Sequence, residues 1–187
     1  MESIHSGSRK GKKSFAKLMG ADPNEIAGSV SDIFSAIASS LSFEKGKNKI
    51  VTTDMDFPTV DHVWLAQEKF GASVSFIPSH DGVIPIEYYE RFVTSDTPFT
   101  SISYICYYNG FKQDIKAIAE IVHRKGSLLF VDAYQSAGQV SIDVKKMDID
   151  ILAAGIRKYM LEIPGMAFLY MKSELAEQWK PRLQYKG

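Results

Sequence analysis

Apolar residues along the chain follow two alternating periodicities. Six short runs have the continuously apolar character of buried strands, at residues 49–54, 73–79, 101–108, 127–134, 151–155 and 167–172. Four segments between or beside them show helical spacing, at residues 31–43, 58–71, 86–93 and 114–126. Continuously apolar strands separated by helices are typical of a parallel sheet that is covered on both faces. The pattern therefore predicts an α/β fold with a mostly parallel sheet and helices on both faces.

Three residues mark the ends of the predicted helices. Pro58 stands where the first turn of a helix tolerates proline, and Gly71 and Gly126 stand where helices commonly end. The chain contains no repeat, no low-complexity stretch and no visible linker between domains. The sequence therefore predicts a single domain over residues 1–187.

Composition and charge exclude several classes of function. With 187 residues, 45% hydrophobic and 24% charged, the chain can bury one sizeable core. Its 22 basic and 22 acidic residues balance, so no global field favours nucleic acid or a membrane, and the basic run at 6–13 is interpreted as an exposed tail or helix end. Neither a secretory signal nor a membrane span of about 18 apolar residues is visible. We expect a cytoplasmic protein with no nucleic-acid or membrane partner.

Cys106 is the single cysteine of the chain. It cannot form an intramolecular disulfide or contribute to a cysteine-rich metal site, and no metal is predicted. Its position within the apolar run 101–108 predicts a buried strand thiol rather than a nucleophile.

Polar residues with chemical potential follow the ends of two predicted strands. Asp132 ends one apolar run, Gln135 follows it, and Lys158 comes soon after the run 151–155. In parallel α/β sheets, ligands bind beyond the carboxyl ends of the strands. Taken alone, an aspartate at this position is often a helix cap or turn residue, and a single lysine is most often simply solvated.

The order of these residues resembles a known family. The stretches "FVDAYQSAGQVSIDVKKMDIDILAAG" and "RKYMLEIPGMAFLYM" run from an aspartate through a glutamine to a lysine ahead of a Pro/Gly-rich turn. This pattern is similar to that of the class V aminotransferase family of pyridoxal-phosphate enzymes, which includes cysteine desulfurases and kynureninases. The resemblance extends from about "KSFAKLMGADPNEIAG" to "LYMKSEL". It implies a truncated large domain of fold type I, pyridoxal 5′-phosphate as cofactor and an amino acid as substrate.

The resemblance also implies roles for individual residues. Lys158 is similar to the lysine that holds the cofactor aldehyde as a Schiff base, and Asp132 to the carboxylate that pairs with the pyridinium nitrogen. Gln135 resembles the glutamine that hydrogen-bonds the phenolic oxygen of the cofactor ring, although by residue type alone it is an ordinary polar residue at a helix start.

The phosphate of the cofactor is expected at the start of the segment "GSVSDIFSAIASSL". Free backbone N–H groups and the dipole at a helix N-terminus attract an anion. The resemblance places Ser29, Val30 and Ser31 in the phosphate loop, and Val30 can offer only its backbone amide. Without the resemblance, Ser31 is interpreted as a plain N-cap.

Phe57, in "TDMDFPTVDHV", is the predicted residue that stacks on the cofactor ring, and the "DFPTV" form resembles the kynureninase-like branch. Packing in the core remains the alternative for one of 11 phenylalanines. Asn109 lies in a stretch similar to the active-site loop of the family and is a candidate to face the substrate, but an Asn-Gly pair is first a turn signal.

Three residues depart from the pattern of the family. Arg157 precedes the lysine where many members have histidine. Its guanidinium could pair with the phosphate, lower the pKa of the lysine through its positive charge, or be solvated. Glu162 and Ile163 stand where glycine and a small residue are frequent, so the turn after the lysine is expected to be altered.

Family members are roughly twice this length and carry an N-terminal segment and a C-terminal small domain, which we expect to be absent here. The arginine that binds the substrate carboxylate and the persulfide cysteine of desulfurases belong to that small domain. Because family dimers share the active site, a homodimer is expected.

Two functions of different classes remain open. The first is an enzyme of aminotransferase or lyase/desulfurase type that acts through Lys158, and the second is a non-catalytic or partner-completed structural subunit. A plain nucleotide-binding domain is the weaker third option, because no G-x-G-x-x-G follows the first strand.

Overall fold

The computed structural model describes residues 17, 20, 26–27, 37–44, 46–156, 158–161 and 167–178. Along the chain these form β1 (Ile26–Ala27), β2 (Lys49–Thr53), α1 (Pro58–Leu65), β3 (Ser73–Ile77), α2 (Ile86–Phe92), β4 (Phe99–Ser103), α3 (Ile115–Arg124), β5 (Leu128–Asp132), β6 (Ile151–Gly155), β7 (Ala167–Met171) and α4 (Ser173–Gln178). A short 3-10 helix spans Glu68–Phe70, and residues 37–40 are helical.

In this part of the chain the strands form one sheet in the order β1-β7-β6-β5-β4-β2-β3. The neighbours from β3 to β6 pair in parallel, whereas β7 is antiparallel to both β6 and β1. The prediction of a mostly parallel α/β sheet is confirmed. All six predicted strands are present, and the two-residue β1 is an addition that the apolar pattern did not predict, because so short an edge strand has no period of its own.

Helices cover both faces of the sheet because neighbouring strand residues point to opposite sides. On one face Trp64 of α1 packs against Phe99 and Phe130, with ring centroids 5.0 and 6.1 Å apart. On the other face Val131 belongs to the apolar core that includes Tyr89 of α2. The continuous apolar character of β5 follows from this two-sided burial, as the pattern predicted.

The predicted strand over 101–108 is wrong in extent, since β4 ends at Ser103. The chain then turns, with the N–H of Gly110 donating to the carbonyl of Cys106 (3.1 Å) and the N–H of Cys106 donating to the carbonyl of Phe111 (2.9 Å). Gly110 has a φ of 75°, which a glycine adopts without strain. Cys106 is buried, as expected, but lies in this turn rather than within a strand.

Helix α1 begins at Pro58, as predicted, but ends at Leu65 and is followed by the 3-10 helix that Gly71 closes. Gly126 follows α3 with a φ of 74°. Among the described residues no helix combines the length and the apolar character needed to cross a membrane.

A charged cluster ties together the edge of the sheet where β6 begins. Asp150, which is buried, accepts hydrogen bonds from His123 Nε2 (2.7 Å), Lys172 Nζ (2.7 Å) and the N–H of Leu129 (2.7 Å). His123 Nδ1 and Lys172 Nζ also contact Asp148, at 3.0 and 2.7 Å. These contacts join α3, β5, β6 and β7 at the end of the sheet opposite to Asp132.

Candidate active site

The carboxyl ends of parallel strands bring two of the predicted site residues, Asp132 and Lys158, to one edge of the sheet. Asp132, the last residue of β5, pairs in register with Ser103 of β4 on one side and with Ala153 of β6 on the other. Lys158 follows β6 at this same edge. The fold therefore brings together two residues that are distant in sequence, for the reason that the strand pattern gave.

Asp132 is a buried carboxylate, with only 9% of the residue exposed. Its Oδ1 accepts a hydrogen bond from the backbone N–H of Tyr134 at 2.8 Å. Burial, the largest cause, and the charge of Asp56 together raise the pKa of Asp132 to about 6, against the lowering effects of the Tyr134 N–H and the Lys158 ammonium. A carboxylate that is buried in this way is stabilised by any cationic or hydrogen-bond-donating group that contacts it.

Lys158 lies on the solvent-exposed side of the same edge. Its Nζ is 5.3 Å from the centroid of the Tyr134 ring. Its carbonyl accepts a hydrogen bond from the N–H of Leu161 (3.3 Å), and Leu161 has a φ of 56°, an uncommon value for a residue with a large side chain. The lysine thus sits in a tight turn, beside an aromatic face and within electrostatic reach of Asp132.

A glycine lets the segment after Asp132 approach the turn that carries Lys158. Gly138 has a φ of 85°, and a Cβ atom there would lie 3.0 Å from the carbonyl oxygen of Tyr159. Any larger residue would both strain the backbone and push the two segments apart. The glycine thereby allows the chain after Asp132 to pack closely against the turn that follows Lys158.

Asp56 is a second buried carboxylate at this edge, and sequence reasoning did not identify it. Its Oδ2 accepts hydrogen bonds from the hydroxyl of Thr52 (2.8 Å) and from both the N–H and hydroxyl of Thr53 (3.0 Å each). Its Oδ1 accepts one from the backbone N–H of Ser103. Burial raises the pKa of Asp56, and these donors oppose the shift. The threonine pair ahead of the acidic "DMD" was the available sequence signal.

Phe57 follows Asp56 and precedes the first turn of α1. It is 44% exposed, so packing in the core does not account for it. Its ring meets the Tyr107 ring edge-on, with centroids 5.2 Å apart and planes at 81°. An exposed aromatic face next to a buried carboxylate is suited to stacking on a planar ligand.

Gln135 and Asn109 are two further candidates from the sequence, and each lies in a turn. Gln135 is half-buried and lies in a turn rather than at a helix start. Asn109 uses both ends of its side chain in the loop, with Nδ2 donating to the carbonyl of Gly82 (2.7 Å) and Oδ1 accepting from the N–H of Phe111 (2.9 Å). The turn interpretation of Asn109 therefore accounts for its contacts.

The predicted phosphate contacts and the departures near the lysine lie outside the described residues. They are Ser29, Val30, Ser31, Arg157, Glu162 and Ile163. Their roles stay predictions.

Comparison with known proteins matches the chain to one family and to several relatives. The sequence model of the family described as Aminotransferase class-V matches residues 2–187. The chain is 56% identical over 173 residues to an uncharacterized aminotransferase, YcbU, of Bacillus subtilis strain 168, covering 91% of this chain and 46% of that protein. It is 30% identical over 181 residues to the cysteine desulfurase IscS of Pseudomonas aeruginosa strain LESB58, covering 94% of this chain and 43% of that protein.

Solved structures share the same architecture. The apo structure of a cysteine desulfurase from Thermococcus onnurineus NA1 superposes with a TM-score of 0.85 at 25% identity, over 96% of this chain and 46% of that one. SspA in complex with cysteine gives a TM-score of 0.88 at 22% identity, over all of this chain and 55% of that one, which is a likeness of fold. The chain spans less than half the length of the curated relatives it matches.

Proposed function

The chain belongs to the class V aminotransferase family, and from this premise we propose that residues 1–187 are the large domain of a pyridoxal-phosphate-dependent enzyme that acts on an amino acid. In this proposal the amine of Lys158 holds the cofactor as a Schiff base. The observation that carries the proposal is the position of a buried carboxylate, Asp132, within electrostatic reach of Lys158 at the carboxyl edge of neighbouring parallel strands.

Pyridoxal phosphate, when bound, supplies an aldehyde that an amine can hold and a ring that accepts the electrons released at the substrate α-carbon. The donor set of this chain fits that group. An exposed lysine amine, a buried carboxylate and an exposed aromatic ring all belong to one edge of the sheet.

Asp132 has the properties needed to keep a proton on the pyridine nitrogen. It is buried at the carboxyl end of β5, with a pKa that burial raises to about 6. Such a carboxylate is poorly solvated, so a protonated ring nitrogen offers it the partner that water does not. Asp132 would thereby hold the ring nitrogen in its protonated form.

Lys158 has the properties needed to carry a proton. Its side chain is exposed and its charge reaches Asp132. When its amine is not bonded to the cofactor, Lys158 would be able to accept the proton from the substrate α-carbon and return it elsewhere.

The remaining contacts follow the family pattern as part of the proposal. Phe57 stacks its exposed face on the cofactor ring, and Gln135 hydrogen-bonds the phenolic oxygen. Ser29, Val30, Ser31 and Arg157 bind the phosphate.

The named relatives suggest two types of reaction, transamination and cleavage at sulfur. YcbU is called an aminotransferase and is the more similar of the two relatives, whereas IscS is called a cysteine desulfurase. We propose an amino acid substrate of either kind, a homodimer that shares the site, and a cytoplasmic location.

The test is an absorbance titration of the purified chain with pyridoxal phosphate, followed by borohydride reduction and peptide mass mapping. We expect a band near the visible edge that borohydride fixes onto Lys158. Lys158→Ala should lose the fixed adduct, and Lys146→Ala, at a side chain that is 84% exposed, serves as the matched control.

An adduct that persists on another lysine in the Lys158→Ala variant would contradict the assignment. A chain that is folded by circular dichroism and forms no adduct would instead favour a non-catalytic or partner-completed subunit.

A further inference from the structure

Tyr134 makes contacts with both charged residues of the site, although no sequence pattern singled it out. Its backbone N–H donates to Asp132 Oδ1 at 2.8 Å. The centroid of its ring lies 5.3 Å from Lys158 Nζ, within the roughly 6 Å over which an ammonium is attracted to an aromatic face. One residue thus connects the carboxylate and the amine.

The place of the Tyr134 ring is set by Gly155, the last residue of β6. A Cβ atom added at Gly155 would lie 1.9 Å from Cε2 and 2.2 Å from Cζ of Tyr134. The ring therefore occupies the space that a side chain at this buried strand position would fill. Since Gly155 precedes Lys158 by a few residues, the same strand end provides both the room for the ring and the lysine that lies over it.

From these contacts we infer that Tyr134 is a positioning residue for Lys158: its ring, seated against Gly155, holds the lysine amine at the edge of the sheet beside Asp132. The inference rests on the proposed function, because it assigns the ring a purpose in presenting that amine to the cofactor. A long, exposed lysine loses considerable freedom when it is fixed, and an aromatic face that restricts it beforehand reduces that loss on binding.

The first experiment needs no cofactor. Reductive methylation with limiting formaldehyde and cyanoborohydride, quantified by mass spectrometry, gives the reactivity of Lys158 relative to the exposed Lys116 of α3. The ring covers one face of the amine, so a reagent that diffuses in from any direction reaches a fixed amine less often than a free one, whereas a cofactor bound beside Asp132 would meet it in place. We therefore expect Tyr134→Leu to raise this ratio about twofold to fivefold. Gly155→Ala should raise it similarly by displacing the ring, and Tyr134→Phe should leave it unchanged.

The second experiment measures the dissociation constant of pyridoxal phosphate in a double-mutant cycle. Tyr134→Leu should weaken binding about threefold or more in the chain that retains Lys158, and should have no further effect when added to Lys158→Ala. Tyr134→Phe should restore wild-type binding. Circular dichroism and thermal unfolding verify that each variant is folded.

The outcomes separate the inference from the proposed function. A labelling ratio that stays constant in both Tyr134→Leu and Gly155→Ala overturns the inference, as does an equal loss of binding in both backgrounds of the cycle. A wild-type chain that forms no adduct on Lys158 overturns the proposed function, while the labelling ratio still decides whether Tyr134 holds the amine.

Discussion

The backbone N–H of Ser103 donates to the carboxylate of Asp56, so that the last residue of β4 is tied to the turn that follows β2. Ser103 also pairs in register with Asp132. Asp56 therefore lies beside Asp132, the candidate partner of the cofactor ring nitrogen, and the two negative charges interact. The relationship links the position of Phe57, which follows Asp56, to the electrostatics of Asp132.

Asp56→Asn tests this link. Removing the Asp56 charge should bring the pKa of Asp132 below its value of about 6, because that charge contributes to the raised pKa. The substitution should also cost about 1–3 kcal/mol of stability, since an amide NH₂ would face a hydrogen-bond donor. Carbon-13 NMR titration of the carboxyl groups measures the pKa, with Asp132→Asn for assignment.

Asp81→Asn is the matched control for this substitution, because its side chain is 91% exposed and asparagine tolerates the φ of 51° found there. An unchanged pKa of Asp132 in Asp56→Asn would contradict the electrostatic coupling.

Asp132→Asn should stabilise the cofactor-free chain at neutral pH. A carboxyl whose folded pKa is raised from 3.8 to about 6 binds protons more readily when folded, so stability is lost as pH rises through this interval. Removing the charge should recover about 2–3 kcal/mol at pH 8, as measured by denaturant unfolding. The difference should disappear below pH 4.

The same variant should bind pyridoxal phosphate more weakly than the wild type, because it has lost the partner of the ring nitrogen. A substitution that stabilises the free chain while weakening the ligand complex is expected of a binding residue. Equal cofactor affinity in both proteins would contradict the role of Asp132.

Phe57→Leu should weaken pyridoxal phosphate binding about threefold to tenfold, since it removes an aromatic face while keeping apolar volume. Thermal stability should change little because Phe57 is 44% exposed. Phe70→Leu, at a residue that is 55% exposed, is the control and should bind the cofactor as the wild type does. An identical response of the two variants would show that Phe57 does not stack on the ring.

His123, at the edge of the sheet opposite to Asp132, should make the stability of the chain depend on pH. Its hydrogen bond to Asp150 raises the pKa of His123 above 6.5 in the folded chain, although burial opposes the shift. The stabilisation is therefore complete below pH 6.5 and is lost as pH rises through the higher folded pKa. His123→Gln should remove this dependence, as followed by unfolding midpoints between pH 5 and 9, and a slope identical to that of the wild type would contradict it.

The sequence by itself determined the class of fold and the edge at which the candidate site lies. Continuous apolar runs predict strands that are buried on both sides, and such strands run in parallel with helices between them. Because the carboxyl ends of parallel strands meet at one edge, the positions of Asp132 at the end of its strand and of Lys158 soon after its strand indicated the edge at which ligands bind. The resemblance to the class V family depended on these same residues.

Tertiary structure decided what surrounds the two residues. Two features of these surroundings join residues that are separate in sequence: the contact of the Tyr134 ring with Gly155, and the coupling of Asp56 to Asp132 through Ser103. A third feature, the early end of β4, reverses a local preference. Apolar periodicity reports which side of a strand is buried, but it does not report which side chain fills the space beside a glycine or which buried carboxylate receives a neighbouring N–H. Those choices are made by packing and hydrogen bonding across strands, which exist only once the sheet has formed.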